Sequence, residues 1–145
     1  MVMQKGFTLL ETLLSVAIVG VIAAMAIPVA HILQAKNNMY IATGTVAHAL
    51  REAQFYSSTM KEDSQWGIYI DAPTITVFKG SSYSMRDTNS DGQYTLPSFL
   101  QLSGVREVLF VKNSMSPQNT GTITLTSATN DTKSITINER GMFTY

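Results

Sequence analysis

One carboxylate, Glu11, lies inside a stretch that is otherwise uncharged, and the next charged residue along the chain is Lys36. An ionised side chain at the centre of a membrane helix costs roughly 2.5–3.5 kcal/mol on insertion scales, and it costs less near the membrane surface. Because such a cost calls for a compensating interaction, Glu11 marks this stretch as a candidate functional site.

A second group of oxygen ligands stands at alternate positions, Asp87, Asn89 and Asp91, and Gly92 follows it. This order matches the start of an EF-hand calcium loop, in which a glycine makes the sharp turn. The twelfth position of such a loop carries a bidentate Glu, and Ser98 stands there instead. Two alternatives stay open, a calcium site and a plain turn built by Asp and Asn side chains, and the turn is favoured. Calcium is the only cofactor that the sequence suggests.

The sequence contains none of the common catalytic motifs, such as HExxH, GxSxG, a Walker A loop or a dinucleotide fingerprint. It also contains no cysteine, which excludes disulfides, a thiol nucleophile and Cys-ligated metals. The two histidines, His31 and His48, belong to no recognisable ligand cluster, so we expect them to be structural or solvated. We therefore expect a protein that is not an enzyme.

The charges of the chain do not favour nucleic acid as a partner. The formal net charge is zero at pH 7, and charged residues make up 14% of the chain. A surface that tracks phosphates needs clustered cations. Here the cations of the second half are interspersed with anions along the sequence: Arg106, Glu107, Lys112, Asp131, Lys133, Glu139 and Arg140.

The apolar stretch around Glu11 is long enough to be a membrane helix. Residues 7–34 are mostly apolar or small, and about 20 helical residues cross a bilayer core of about 30 Å. Lys5 keeps the short amino-terminal segment in the cytoplasm under the positive-inside tendency, which places the rest of the chain outside. Gly20 and Pro28 weaken the helix and predict a segment that bends or opens.

A cleaved secretory signal is the alternative interpretation of the same stretch. Residues 24–26 read Ala-Met-Ala, which has the form of a signal peptidase site, and cleavage there would release a soluble protein. Glu11 inside the leading edge and the continuing apolar pattern argue against it.

Residues 35–62 predict an amphipathic helix that continues the first. Apolar and small residues recur there at spacings of three and four, which predicts a stripe that packs on a sheet. The stripe consists of Met39, Ala42, Val46, Ala49, Leu50, Ala53, Tyr56 and Met60.

Residues 63–145 predict a β-rich domain. β-Branched and aromatic residues at 66–70 and 74–79, with turn residues at 71–73, predict a hairpin. Residues 80–93 and 113–121 read as loops, and residues 107–112 as a strand between them. Alternating patterns at 122–126 and 134–138 predict two strands with one wet face, and residues 141–145 a short terminal strand. The predicted fold class is α+β, a long helix packed on a small antiparallel sheet.

The residues from Gly6 to Glu11, read as GFTLLE, resemble the class III signal of type IV pilins and type II secretion pseudopilins. Gly20 and Pro28 also fall where those pilins carry a helix-loosening glycine and proline. The region of residues 46–54, the hairpin at Trp66 and the strands at 121–125 and 134–138 are similar to H-type minor pseudopilins and FimT-like minor pilins.

The resemblance implies how the chain is divided, and it implies roles for Gly6, Phe7 and Glu11. Residues 1–6 would be a leader, 7–34 the transmembrane and filament-core half of the helix, 35–62 its amphipathic half, and 63–145 the ectodomain. A prepilin peptidase would cleave between Gly6 and Phe7 and methylate the new amine of Phe7. Glu11 would pair with the Phe7 amine of a neighbouring subunit.

The resemblance implies a structural subunit of a type IV pilus or type II secretion pseudopilus. Its partners would be other pilin subunits, the peptidase, an inner-membrane assembly platform and membrane lipid. The chain would sit in the inner membrane with its ectodomain outside the cytoplasm, and then enter an extracellular or periplasmic filament. The absence of cysteine favours a minor subunit. The alternative is a secreted or membrane-anchored β-rich module that binds an adhesion partner or DNA through its loops.

Overall fold

A computed structural model describes residues 6–128 and 130–145, and of residues 25–32 it describes only the helical backbone. The chain divides into two compact units, Met1–Lys36 and Asn37–Tyr145. One helix, α1 (Leu9–Ser58), contains 50 residues, which confirms the prediction of a single long helix. The leader residues before Gly6 and the side chains of Pro28 and His31 lie outside the described part.

In the described part of the first unit, α1 begins at Leu9, and every residue from 6 to 24 is exposed. Within the part of the chain that the structure describes, no helix is both long enough and apolar enough to cross a membrane. Residues 25–32 belong to the predicted span of residues 7–34, and their side chains lie outside the described part.

The second unit begins with the amphipathic part of α1, whose predicted stripe is largely buried. Met39, Ala42, Val46, Ala49, Leu50 and Ala53 are all at most 4% exposed. Ala47 joins them, although the spacing rule did not select it. The prediction was wrong for Met60, which is 45% exposed because the helix ends at Ser58 and Met60 adopts a left-handed conformation with φ 52°.

The helix predicted over residues 35–62 ends at Ser58, and a short 3-10 helix, Lys61–Asp63, follows it. Two ion pairs fix it: Glu62 with Lys79 at 2.7 Å and Asp63 with Lys112 at 2.6 Å. The buried Ser57 ties the end of α1 to the next strand, because its Oγ accepts from the Trp66 amide at 2.7 Å and donates to the Trp66 carbonyl at 3.2 Å.

Eight strands follow: β1 (Trp66–Asp71), β2 (Thr74–Lys79), β3 (Gly92–Thr95), β4 (Gln101–Gly104), β5 (Glu107–Leu109), β6 (Gly121–Thr126), β7 (Thr132–Ile137) and β8 (Phe143–Thr144). They form two antiparallel four-stranded sheets, with the orders β3-β2-β1-β5 and β4-β6-β7-β8. Two further 3-10 helices, Tyr83–Met85 and Thr88–Ser90, lie between β2 and β3.

The hairpin β1–β2, the pair β6–β7 and the terminal strand β8 confirm the predicted strands. In β6 and β7, the buried side chains Ile123, Leu125, Ile135 and Ile137 alternate with more exposed residues, as the pattern indicates. The strands β3 and β4 fall outside the predicted strands, since their polar and small residues lack the β-branched pattern. The strand predicted over residues 107–112 ends at Leu109, beyond which Phe110 forms an isolated bridge to Pro117.

The core of the second unit combines α1 with both sheets. Buried residues of the helix, such as Leu50, belong to one apolar cluster with Ile68 of β1 and Ile135 of β7. The predicted small sheet is therefore two sheets that share one core, and the α+β class stands.

Candidate functional site

The start of α1 is defined by Thr8, which precedes the first helical residue. The Glu11 amide donates to the Thr8 carbonyl oxygen at 3.1 Å and also to Thr8 Oγ1 at 3.3 Å, so the threonine caps the first turn. The spacing Thr-x-x-Glu is that of a capping box. Glu11 also lies in the first turn, where a negative charge interacts favourably with the helix dipole.

Apart from a few hydroxyl side chains, the residues around Glu11 are apolar, and they are exposed on all sides of the helix. Phe7 is 79% exposed, Leu10 78% and Val16 70%. A helix that is apolar all round is stable when lipid or other helices cover it. Within residues 6–24, the predicted cleavage site Gly6–Phe7 and the predicted assembly residue Glu11 are thus all accessible to another molecule.

Gly20 lies in the middle of this exposed segment. A Cβ atom added at Gly20 would meet no atom within 4 Å. Glycine in a helix interior costs about 1 kcal/mol relative to alanine. Neither a close contact in the described chain nor the helical backbone requires a glycine there, so its local effect is to weaken the helix.

The loop with the calcium-like pattern forms a turn. Asp87 Oδ1 accepts from the Asn89 amide at 3.1 Å, and Asp87 Oδ2 accepts from Ser90 Oγ at 3.3 Å. Asp91 forms an ion pair with Arg86 Nε at 2.9 Å, and this hydrogen bond raises the pKa of the Arg86 guanidinium. Within the described residues, no three His, Cys, Asp or Glu side chains come together as a metal site. A cation at Asp91 would have to displace Arg86.

The comparisons with known proteins bear on both units. Residues 1–27 match the family model described as the prokaryotic N-terminal methylation motif. Two fimbrial proteins of Pseudomonas aeruginosa are each 31% identical to the chain over 127 residues, which covers 81% of this chain and 82% of each of them. The chain belongs to the type IV pilin and pseudopilin superfamily. As a member, it is a structural subunit of a pilus or pseudopilus.

A solved structure supports the pilin fold. The minor pseudopilin EpsH from the type 2 secretion system of Vibrio cholerae superposes with a TM-score of 0.56 at 15% identity. The superposition covers 74% of this pilin-like chain and 94% of EpsH. At 15% identity, this match shows a shared fold, in which a long helix packs on antiparallel sheets.

A carboxylate that the sequence did not single out, Glu52, joins α1 of this pilin subunit to an edge strand. Its Oε1 accepts from the Tyr56 hydroxyl at 2.7 Å and its Oε2 accepts from the Tyr94 hydroxyl at 2.5 Å. The exposed His48 packs against the Tyr94 ring edge-on, with 5.5 Å between the ring centroids. The i, i+4 spacing of Glu52 and Tyr56 was visible in the sequence, whereas nothing in it pointed to Tyr94.

The structure also brings together two cations that the sequence separates. Arg51 of α1 and Lys133 of β7 line one hollow with Tyr40 and Tyr145. In the sequence, Lys133 is one of several cations that are interspersed with anions. Nothing in the sequence indicated that Arg51 would lie near Lys133.

Proposed function

We propose that the chain is a minor subunit of a type IV pilus or type II secretion pseudopilus, which a prepilin peptidase cleaves between Gly6 and Phe7 and methylates on the Phe7 amine. The observation that carries this proposal is the exposed helix of residues 6–24, apolar on all sides with one carboxylate, within a matched methylation motif. The enzymes of the pathway act on this chain, which itself has a structural and not a catalytic role.

Cleavage creates the cation that Glu11 needs. The new α-amine of Phe7 is positively charged at neutral pH, and it lies at the start of the same exposed apolar segment as Glu11. An ion pair removed from water is stable only when both charges are present, since one unpaired buried charge costs several kcal/mol. Glu11 of an incoming subunit therefore pairs with the Phe7 amine of a subunit already in the filament.

The proposal also covers the environment of the subunit before and during assembly. Before assembly, lipid covers the apolar segment, the leader with Lys5 stays in the cytoplasm and the second unit lies outside it. An inner-membrane assembly platform moves the subunit into the filament, where neighbouring helices replace the lipid. Because Gly20 and Pro28 weaken the helix, the segment between them can bend or open during this step.

The minor rank is supported by the absence of cysteine, because a disulfide loop is common in major pilins. Counting subunits per filament by electron microscopy and quantitative mass spectrometry tests this rank.

The experiment for the proposed function replaces Glu11 by alanine in cells that make the filament. We expect mass spectrometry to find a mature chain that begins at N-methylated Phe7, because cleavage does not use the carboxylate. We expect incorporation into filaments to fall at least about tenfold, the ratio that corresponds to about 1.4 kcal/mol. The matched control is Ser15→Ala, which changes an exposed side chain one turn away and leaves the charge in place.

Two outcomes would contradict the proposal. Normal incorporation of Glu11→Ala into filaments would contradict the proposed ion pair between Glu11 and the Phe7 amine. A wild-type chain that begins near Ile27 would instead indicate a released β-rich binding module.

A further inference from the structure

A hollow of about 290 Å³ lies on the second unit, beside the outer face of α1. Three small residues of the helix line it, Thr43, Gly44 and Ala47. Its walls are Tyr40, Arg51, Lys133 and Tyr145, and we call it the Gly44 hollow.

Gly44 lines the hollow, and nothing in the described chain requires a glycine at this position. It lies in the interior of α1, where glycine costs about 1 kcal/mol relative to alanine. A Cβ atom added at Gly44 would meet no atom within 4 Å. The space above Gly44 is therefore open to a group from another molecule.

The walls of the Gly44 hollow carry two cations and two tyrosine rings. Arg51 Nη2 donates to the Tyr145 hydroxyl at 2.5 Å, and Lys133 Nζ lies 5.1 Å from the centre of the Tyr40 ring. The rings are accessible from outside, since Tyr40 is 65% and Tyr145 61% exposed.

The two cations of the hollow differ from several others of the second unit. Lys79, Arg86 and Lys112 each form an ion pair with a carboxylate. Among the described residues, neither Arg51 nor Lys133 has a carboxylate within 4.0 Å. Lys133 is half-buried, and an anion that enters the hollow would lie near both cations.

We propose that the Gly44 hollow receives an Asp or Glu side chain of a neighbouring filament subunit, which pairs with Arg51 and Lys133. This proposal rests on the proposed function, because only a filament brings such a neighbour to the hollow. A guanidinium binds a carboxylate through two parallel hydrogen bonds, and the tyrosine rings pack against the aliphatic part of the entering side chain. Two cations suit one carboxylate, whereas a nucleic-acid backbone needs a longer basic track.

The test fills the hollow without disturbing the fold. Gly44→Leu places a side chain into open space, so the midpoint of thermal unfolding of the full chain in detergent should stay equal or rise. Lys133→Gln removes one cation and keeps much of the side-chain volume. We expect both variants to enter filaments at least about tenfold less than wild type. The matched control, Arg140→Gln, removes an exposed cation outside the hollow and should enter filaments normally.

A photo-reactive residue at Tyr40 in assembled filaments identifies the occupant. We expect a cross-linked peptide from another filament subunit, with an Asp or Glu next to the cross-link. Normal incorporation of Gly44→Leu and Lys133→Gln would overturn the proposal, as would cross-links to DNA or to lipid only. Absence of the wild-type chain from filaments would contradict the proposed function itself. That result can be told apart from normal incorporation of the two variants, which contradicts only the role of the hollow.

Discussion

Glu52 joins two tyrosines that come from different elements of the fold, Tyr56 of α1 and Tyr94 of β3. A hydroxyl that donates to a carboxylate resists losing its proton, because the resulting phenolate would lie against another negative charge. The hydrogen bond to Glu52, with burial as a second cause, raises the pKa of Tyr94 to about 12. The same carboxylate raises the pKa of Tyr56.

These shifts predict a loss of stability at high pH. The pKa of Tyr94 is about 12 in the folded chain, and the ordinary pKa of tyrosine is 10.0. Between these values the folded state binds more protons than the unfolded state, so the free energy of unfolding should fall as pH rises from 10 to 12. Chemical denaturation of the full chain in detergent at several pH values measures this slope.

The variant Glu52→Gln tests whether Glu52 is the cause. We expect its free energy of unfolding to depend less on pH in this window, since the pKa of Tyr94 moves back toward its usual value. Glu139→Gln, at an exposed carboxylate, is the control and should keep the wild-type slope. Equal slopes for wild type and Glu52→Gln would show that the tyrosines titrate independently of Glu52.

The loop at Asp87 and Asp91 leads to a prediction about calcium. Asp91 is paired with Arg86, and Asp87 already accepts hydrogen bonds inside its own turn. Calcium takes six to eight oxygen ligands, so these two carboxylates and Asn89 would have to leave their partners to supply part of the set. We expect isothermal titration of the full chain to give no heat at millimolar calcium. Saturable binding that Asp91→Asn abolishes would instead assign a calcium site.

At the scale of elements, the end of α1 is held to the two loops around Met115 and Gly141. Gln54 Nε2 donates to both carbonyl oxygens at 2.8 Å. Gly141 has a φ of +73°, and an added Cβ would lie 2.0 Å from the Met115 oxygen and 2.5 Å from Gln54 Nε2. This is a place where the fold requires a glycine.

Gly141→Ala should therefore destabilise the second unit. The left-handed conformation and the lost hydrogen bonds together predict a loss of about 2–4 kcal/mol in the free energy of unfolding. Gly92→Ala is the matched control, because its Cβ would meet Val77 Cβ at 3.7 Å, an ordinary contact. Denaturant unfolding of both variants decides the point, and equal losses would contradict this account of Gly141.

At the scale of the whole molecule, the buried cluster lies entirely in the second unit. Its members run from Met39 to Ile137, whereas residues 6–24 are all exposed. The hydrophobic stabilisation of the fold therefore comes from the unit that starts at Asn37. The apolar surface of the first unit is available for lipid and for other subunits.

This division predicts that residues 37–145 fold alone. We expect the shortened chain to be monomeric without detergent and to unfold cooperatively by circular dichroism. Leu50→Ala, at a fully buried position, should lower the free energy of unfolding by about 2–5 kcal/mol in both the shortened and the full chain. A shortened chain that is unfolded or aggregated would show that the first unit contributes to the core.

Features that depend on near neighbours along the chain follow from short stretches of sequence. Thr8 and Glu11 define the helix start, spacings of three and four select most of the buried face of α1, and alternation selects β6 and β7. The motif from Gly6 to Glu11 indicated the family. These features result from local hydrogen bonds and from periodic burial, and both depend on residues that are only a few positions apart.

Contacts between residues far apart in the sequence could not be predicted in this way. Tyr94 reaches Glu52 across 42 positions, and Tyr145 reaches Arg51 across 94. The division of the strands into two sheets, and the addition of β3 and β4 to their edges, also went beyond the local pattern. Such contacts depend on the order and register of the strands, which follow from the packing of the whole core on α1 and not from the period of any one segment.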